Sequence, residues 1–288
     1  MSREFGDPCL PIIEIDLQLE EGKCCGLRQC AQYAGRIQDK LAGRYIGVEQ
    51  PFAGQIVAAW MNLRNLTYDQ YIARAKRRYK GNVLRDARKS DQQGYICKPF
   101  VRELFIPDIV AINHSKEERS GGPMKETYLR SVEDMGGAPK KPVELKPPEC
   151  PVHYDCWWGV FSPEPGYKQG DVVTDERLLA YIDLRRVGNF ALYSLILGHG
   201  DYLKYGIMYR LHFTILEWLC NNKDRYAHGL DHLVYAGYYQ GGEGLQLWKK
   251  KTLFEPAYLV IRNENSIRQP GTRLVAKLFH KLLKKFSI

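Results

Sequence analysis

Apolar positions along the chain repeat at two spacings, and each spacing predicts a different element. Ile12 to Leu17 alternates apolar and acidic residues, the pattern of a short strand. From Gly26, the positions Leu27, Cys30, Ala31, Ala34, Ile37 and Leu41 recur at helical spacing and Gly43 supplies a stop. A second helix is expected over Gly54 to Leu63. Thr67 and Gln70 have the spacing of a capping box, in which hydroxyl and amide satisfy free N–H groups at a helix start. A basic helix then follows through Tyr71, Ile72, Ala75 and Tyr79.

Gly94 to Val101 reads as a strand, and Pro107-Asp108 opens a helix through Ile109, Ile112 and Arg119 that Ser120-Gly121-Gly122-Pro123 breaks. Another helix is predicted from Met124 through Tyr128 to Met135. Five prolines between Gly136 and Pro151 favour extended, solvated backbone, so this stretch is a long loop or linker. Beyond it come strands at Cys156 to Phe161, Leu178 to Leu184 and Phe190 to Leu197, the last two a hairpin turning at Gly188-Asn189. Ile207, Met208, Leu211, His212, Ile215, Leu216 and Leu219 form one helical stripe. Leu233 to Tyr239 is a strand, Gly241 to Lys251 a short helix, Ala257 to Ile261 a final strand, and the tail from Thr272 an amphipathic helix.

A chain of 288 residues, 44% hydrophobic and 26% charged, can bury a large core. No apolar run approaches the ~18 residues of a membrane span, and Met1 to Cys9 lacks the pattern of a secretory signal. Eight scattered cysteines favour reduced thiols, so a cytoplasmic location is expected. Cys150-x-x-His153-x-x-Cys156 carries zinc-ligand types, but no second pair stands at short spacing and no metal is expected.

The net charge of +9 favours anionic partners. Between Arg74 and Lys89 lie eight Lys or Arg against one acid, Asp86, with Tyr71 and Tyr79 nearby. Arg77, Arg78 and Lys80 at its centre suit nucleic acid, because cations neutralise phosphates while tyrosines offer stacking faces. A solvated helix face explains the same run without a ligand.

The order strand, two helices, three strands, helix, strand, helix, strand from Gly94 to Ile261, with GEGLQLWKKKTLFEP over Gly242 to Pro256, resembles the GNAT superfamily of N-acyltransferases. The resemblance implies an α/β (α+β) fold: a mixed, mostly antiparallel twisted sheet flanked by helices. It covers Gly94 to Ile261, so the chain divides into a mainly helical basic region over 1–93, the acyltransferase domain over 94–265 and a C-terminal amphipathic helix over 266–288, whose apolar face is expected to dock on the domain. The strands at Phe190 to Leu197 and Leu233 to Tyr239 would splay apart to seat acetyl-CoA or another acyl-CoA, whose pyrophosphate would meet Lys204, Tyr205, Gly206 and Ile207. Only Gly206 of Leu203-Lys204-Tyr205-Gly206-Ile207-Met208 fits the family's Arg/Gln-x-x-Gly-x-Gly/Ala motif.

The implied activity is acyl transfer to an amine, which needs a neutral amine, a polarised carbonyl and a proton for the leaving group. Trp248 stands where many members carry an acidic Tyr, so His199, Glu243 and Tyr239 are the catalytic candidates. Arg119 and Tyr238 are candidates for contacting the acceptor, a small or macromolecular amine. Trp248-Lys249 also resembles the Fem-type aminoacyl transferases, whose donor is charged tRNA. A tRNA-dependent or base-modifying transferase, or a non-catalytic nucleic-acid-binding protein, therefore stands as an alternative, and the oligomeric state is left open.

Overall fold

The computed structural model describes residues 10–20, 22–119, 122–221 and 223–261. Its N-terminal part contains β1 (Ile12–Ile15), α1 (Leu27–Leu41), β2 (Ile46–Val48), β3 (Ala58–Asn62), α2 (Tyr68–Tyr79) and α3 (Asn82–Gln92). After these come β4 (Ile96–Phe100), α4 (Ile106–His114), a small ladder of β5 (Glu118–Arg119) and β6 (Gly122–Pro123), and β7 (His153–Pro163). A second small ladder joins β8 (Lys168–Gln169) to β9 (Val172–Val173). The chain continues through β10 (Glu176–Val187), β11 (Phe190–Gly198), α5 (Ile207–Leu219), β12 (His232–Gly237), α6 (Glu243–Lys251) and β13 (Glu255–Ile261).

Nine strands form one sheet in the order β1-β13-β3-β12-β11-β10-β7-β4, with β2 also on β13. The sheet is mixed and mostly antiparallel, with parallel pairs at β11–β12, β1–β13 and β2–β13. Residues of β11 alternate between two cores, as a period of two requires. Ala191 and Tyr193 pack under α2, α3, α5 and α6, while Phe190 and Leu192 pack against α1 on the opposite face. A third cluster joins α4 to Phe100, Phe161, Tyr181 and Leu197. Burying each such aliphatic side chain contributes about 1.5–3 kcal/mol.

Two predicted helices are corrected. Gly54 to Leu63 contains β3 instead, inserted between β12 and β13. Ala58, Ala59, Trp60 and Met61 are all buried, and a short apolar run covered on both faces has no period that separates strand from helix. Met124 to Met135 forms only a 3₁₀ turn at Glu126–Tyr128, followed by turns. Its backbone is held by α4, where the Asn113 amide donates to the Tyr128 carbonyl at 3.0 Å. The basic run is two helices, because Lys80 adopts a left-handed conformation (φ 50°) that ends α2. The capping box at Thr67 and Gln70 is present. The sheet crosses residue 93, since β1, β2 and β3 belong to it. The helix expected from Thr272 lies outside the described residues.

Candidate functional site

The site begins where two strands part. β11 and β12 pair in parallel at only three positions, Phe190 with His232, Ala191 with Leu233 and Leu192 with Val234. Beyond Leu192, β11 continues to Gly198 paired with β10 alone, so the edge that faced β12 is open. A cavity of about 730 Å³ occupies the gap, lined by β11 from Leu192 to Gly198, by Val234 and Tyr235 of β12, and by Trp248 and Lys249 of α6.

The charge of this lining has one sign. Lys40, Arg44, Lys116, Arg119, Lys125 and Lys249 contribute to it and, among the described residues, no Asp or Glu does. None of the six takes part in an ion pair among the described residues. Cations gathered around a partly enclosed space raise the local concentration of an anion. Three lining residues also keep a buried polar atom without a partner: Ser194 Oγ, Arg119 Nε and Trp248 Nε1. Orphaned buried donors are rare, and those that line a cavity are positioned for a ligand's acceptors.

Lys249 is the most constrained cation. It is fully buried, and its Nζ donates to the carbonyls of Gly237 and, at 2.7 Å, Gln240. The ammonium also lies 5.6 Å from the Tyr235 ring centroid. Desolvation pulls its pKa down to about 8, since no carboxylate compensates the charge. A second buried group supports the neighbouring wall. The Tyr71 hydroxyl donates to the Thr252 carbonyl and so accepts from His212 Nε2, which leaves Nδ1 to accept from Tyr193. Burial holds this imidazole neutral, with a pKa near 3.

Of the residues singled out in the sequence, Arg119 and Gly206 line the cavity. Arg119 donates to the carbonyls of Gly198 and Ile112, tying the β5–β6 ladder to the end of β11. Burial without a counter-ion lowers its pKa. Gly206 has φ +70° and accepts from the amides of Tyr209 and Arg210. The start of α5 has no side-chain cap, and Met208 and Tyr209 of its first turn line the cavity. A Cβ on Gly206 would sit 1.9 Å from the Asp86 carbonyl oxygen, so the glycine is also required for α3 to pack there.

The other candidates lie outside the cavity lining. Lys204 Nζ stacks 5.1 Å from the Tyr205 ring, and Ile207 is buried in the core under α5. His199 Nδ1 accepts from the Asp201 amide, and burial lowers its pKa so that it is neutral at pH 7. Glu243 is exposed at the first residue of α6. Tyr239 is exposed and meets Tyr238 edge to face just past β12. Arg77, Arg78 and Lys80 are exposed at the end of α2, with Arg78 4.0 Å from Glu255.

Lys40, Arg44, Lys116, Lys125 and Lys249 are site residues that sequence reasoning missed as ligand contacts. Only Lys249 carried a signal, its place after Trp248; the others are isolated cations that the fold collects from α1, the turn after it and the segments around β5 and β6.

No protein-family model matches the chain, and no curated protein does. Among solved structures it is similar to FemX at 10% identity and TM-score 0.46, covering 70% of this chain and 59% of that one. It is similar to the C-terminal domain (DUF2156) of a putative lysylphosphatidylglycerol synthetase from Agrobacterium fabrum at 14% identity and TM-score 0.37, covering 70% and 58%. It is also similar to L-PGS from Bacillus licheniformis at 13% identity and TM-score 0.36, covering 76% and 63%. The chain thus spans less than two thirds of each of these proteins. At such scores the description of the fold rests on the strand order itself.

Proposed function

We propose that the chain is an acyltransferase that moves an acyl group from a phosphate-bearing donor, an acyl-CoA, to an amine. The observation that carries this reading is the open β11 edge facing a cavity that, among the described residues, is lined by six cations and no carboxylate. An amide-rich donor arm pairs naturally with free strand backbone, and its phosphates suit unpaired cations. The fit is uneven along the cavity. The open edge and the orphaned Ser194 and Trp248 donors match a pantetheine arm. At the start of α5, Gly206 and Met208 line the cavity without a cation beside them in sequence, so the phosphates would be held mainly by Lys116, Arg119 and Lys125. When bound, such a donor supplies an activated thioester carbonyl.

The chain's own residues then have separable roles. Lys249, buried and without a carboxylate partner, stabilises negative charge developing on the carbonyl oxygen. The Trp248 indole donates a hydrogen bond and cannot deliver a proton at neutral pH. Among the described residues no carboxylate or imidazole lines the cavity, so the acceptor amine would enter neutral and attack the thioester carbonyl; the C–S bond breaks, coenzyme A leaves as the thiolate, and the amine proton goes to solvent.

A second reading, aminoacyl transfer from tRNA, is favoured by one observation: Lys249, directly after Trp248, lines the cavity. Incubation with acetyl-CoA, longer acyl-CoAs and aminoacyl-tRNA in the presence of amines separates the two, by counting released coenzyme A and deacylated tRNA. Turnover of acyl-CoA, lost by at least about tenfold in Lys249→Met with the fold retained, is the expected result. Turnover of aminoacyl-tRNA alone moves the assignment to the second reading. Absence of both, with tight nucleic-acid binding that Arg77, Arg78 and Lys80 control, removes the transferase.

A further inference from the structure

Five ligating side chains, far apart in sequence, meet on the opposite side of α1 from its cavity end. Cys24 and Cys25 precede α1, Cys30 is in its second turn, and Cys150 and His153 lie where the proline-rich segment enters β7. Cys24, Cys30 and His153 have their ligand atoms within 4.8 Å of one another, and so do Cys25, Cys30 and Cys150. Cys30 Sγ is 3.8 Å from Cys25 Sγ and 3.6 Å from Cys150 Sγ, and Cys150 Sγ is 3.8 Å from His153 Nδ1.

These are the spacings of a metal site. With Zn–S bonds of about 2.3 Å, the edge of a tetrahedron between two sulfurs is about 3.8 Å. Ligand-type side chains from two distant segments converge at that distance, whereas a disulfide would bring two sulfurs to about 2.0 Å. The histidine is oriented as a ligand. Its Nε2 lies 2.7 Å from the Leu17 carbonyl and donates to it, so Nδ1 carries the lone pair and faces Cys150. A backbone carbonyl on the far ring nitrogen is the usual partner of a metal-bound histidine.

From this geometry we infer that the chain holds a structural zinc ion on the Cys25, Cys30 and Cys150 triangle, with His153, whose Nδ1 faces Cys150, turning in as the fourth ligand. Binding replaces three S–H protons, which leave to solvent, by Zn²⁺, and no electron is transferred. Three thiolates and one neutral imidazole leave the centre with a net charge of −1, next to a helix start that has no side-chain cap and no acid in its first turn. The ion joins α1 to β7, adding to the small cluster of Cys30, Cys150 and Val152 and to the hydrogen bond from the Tyr33 hydroxyl to the Tyr154 carbonyl. Because α1 ends in Lys40 and Leu41 at the cavity, the zinc also fixes one wall of the site. The metal site stands whether or not the proposed reaction is correct.

The test uses the full chain, purified untagged under reducing conditions without chelator, with metal measured by mass spectrometry. The expected content is about one zinc ion per chain. It should fall at least about tenfold in Cys30→Ser and in Cys150→Ser, and stay unchanged in Cys156→Ser, whose thiol lies outside the cluster. Cobalt substitution of the unmutated chain should give thiolate-to-metal charge-transfer absorption and the visible bands of a tetrahedral site, a readout that does not depend on any variant folding. A metal-free chain without cobalt–thiolate absorption overturns the inference. So does a Cys30–Cys150 disulfide in the protein as purified, or full zinc content in the Cys30→Ser, Cys150→Ser double variant.

Discussion

Single buried groups set the pH behaviour of this protein. His212 hydrogen-bonds to Tyr71 and Tyr193 as a neutral imidazole, and desolvation brings its pKa to about 3. His232, whose Nδ1 accepts from the Trp60 indole, is brought to about 4 in the same way. Both folded values lie below the unfolded value near 6.5, so the unfolded chain takes up protons first. Stability is therefore complete above pH 6.5 and falls as the pH drops from there toward 4. By pH 4.5 each imidazole costs about 2–3 kcal/mol. Urea midpoints measured from pH 7 to 4.5 should show this loss, and His212→Gln should flatten it while costing about 1–2 kcal/mol at pH 7. An unchanged acid slope in that variant would remove His212 as the cause.

At the scale of elements, the α3–α5 junction depends on one residue with no side chain. Gly206 combines φ +70° with a carbonyl oxygen 1.9 Å from where a Cβ would be. Gly206→Ala should lower stability by about 2–4 kcal/mol, from the left-handed conformation and from the displaced α3 backbone together. Gly54 provides the control, since its φ is +81° but nothing lies within 4 Å of a Cβ. Gly54→Ala should cost only about 1–2 kcal/mol. Equal losses in the two variants would show that conformation alone matters and that the contact with Asp86 does not.

At the scale of the whole molecule, positive charge among the described residues gathers in two places, a solvated face on α2 and α3 and the rim of the cavity. The rim cations lack ion-pair partners among the described residues, and their attraction for a donor depends on ionic strength. The double variant Lys116→Gln, Lys125→Gln should raise KM for an acyl-CoA by about 10–100-fold, leave kcat within about threefold, and weaken the dependence of kcat/KM on salt. Neutralising Arg77, Arg78 and Lys80 should leave that KM unchanged, because none of them lines the cavity. A raised KM for tRNA in the triple variant, with acyl-CoA inactive, would instead identify α2 as a polynucleotide contact.

Local pattern was enough for the elements whose neighbours leave their period intact. The stripe from Ile207 to Leu219, the capping box at Thr67 and the hairpin turning at Gly188-Asn189 were all legible, because one face of each element is apolar and local chemistry marks its ends. β3 was not legible: it is covered on both faces, and only its pairing with β12 and β13 distinguishes it from a helix. The place where β11 and β12 separate could be expected from a resemblance, but the contents of the gap could not. Its cations come from α1, the turn after it, the β5–β6 segments and α6, and the thiol cluster joins residues more than a hundred positions apart. Periodicity reports on neighbours along the chain, whereas a charged cavity and a set of metal ligands are properties of distance in space, which only the folded sheet determines.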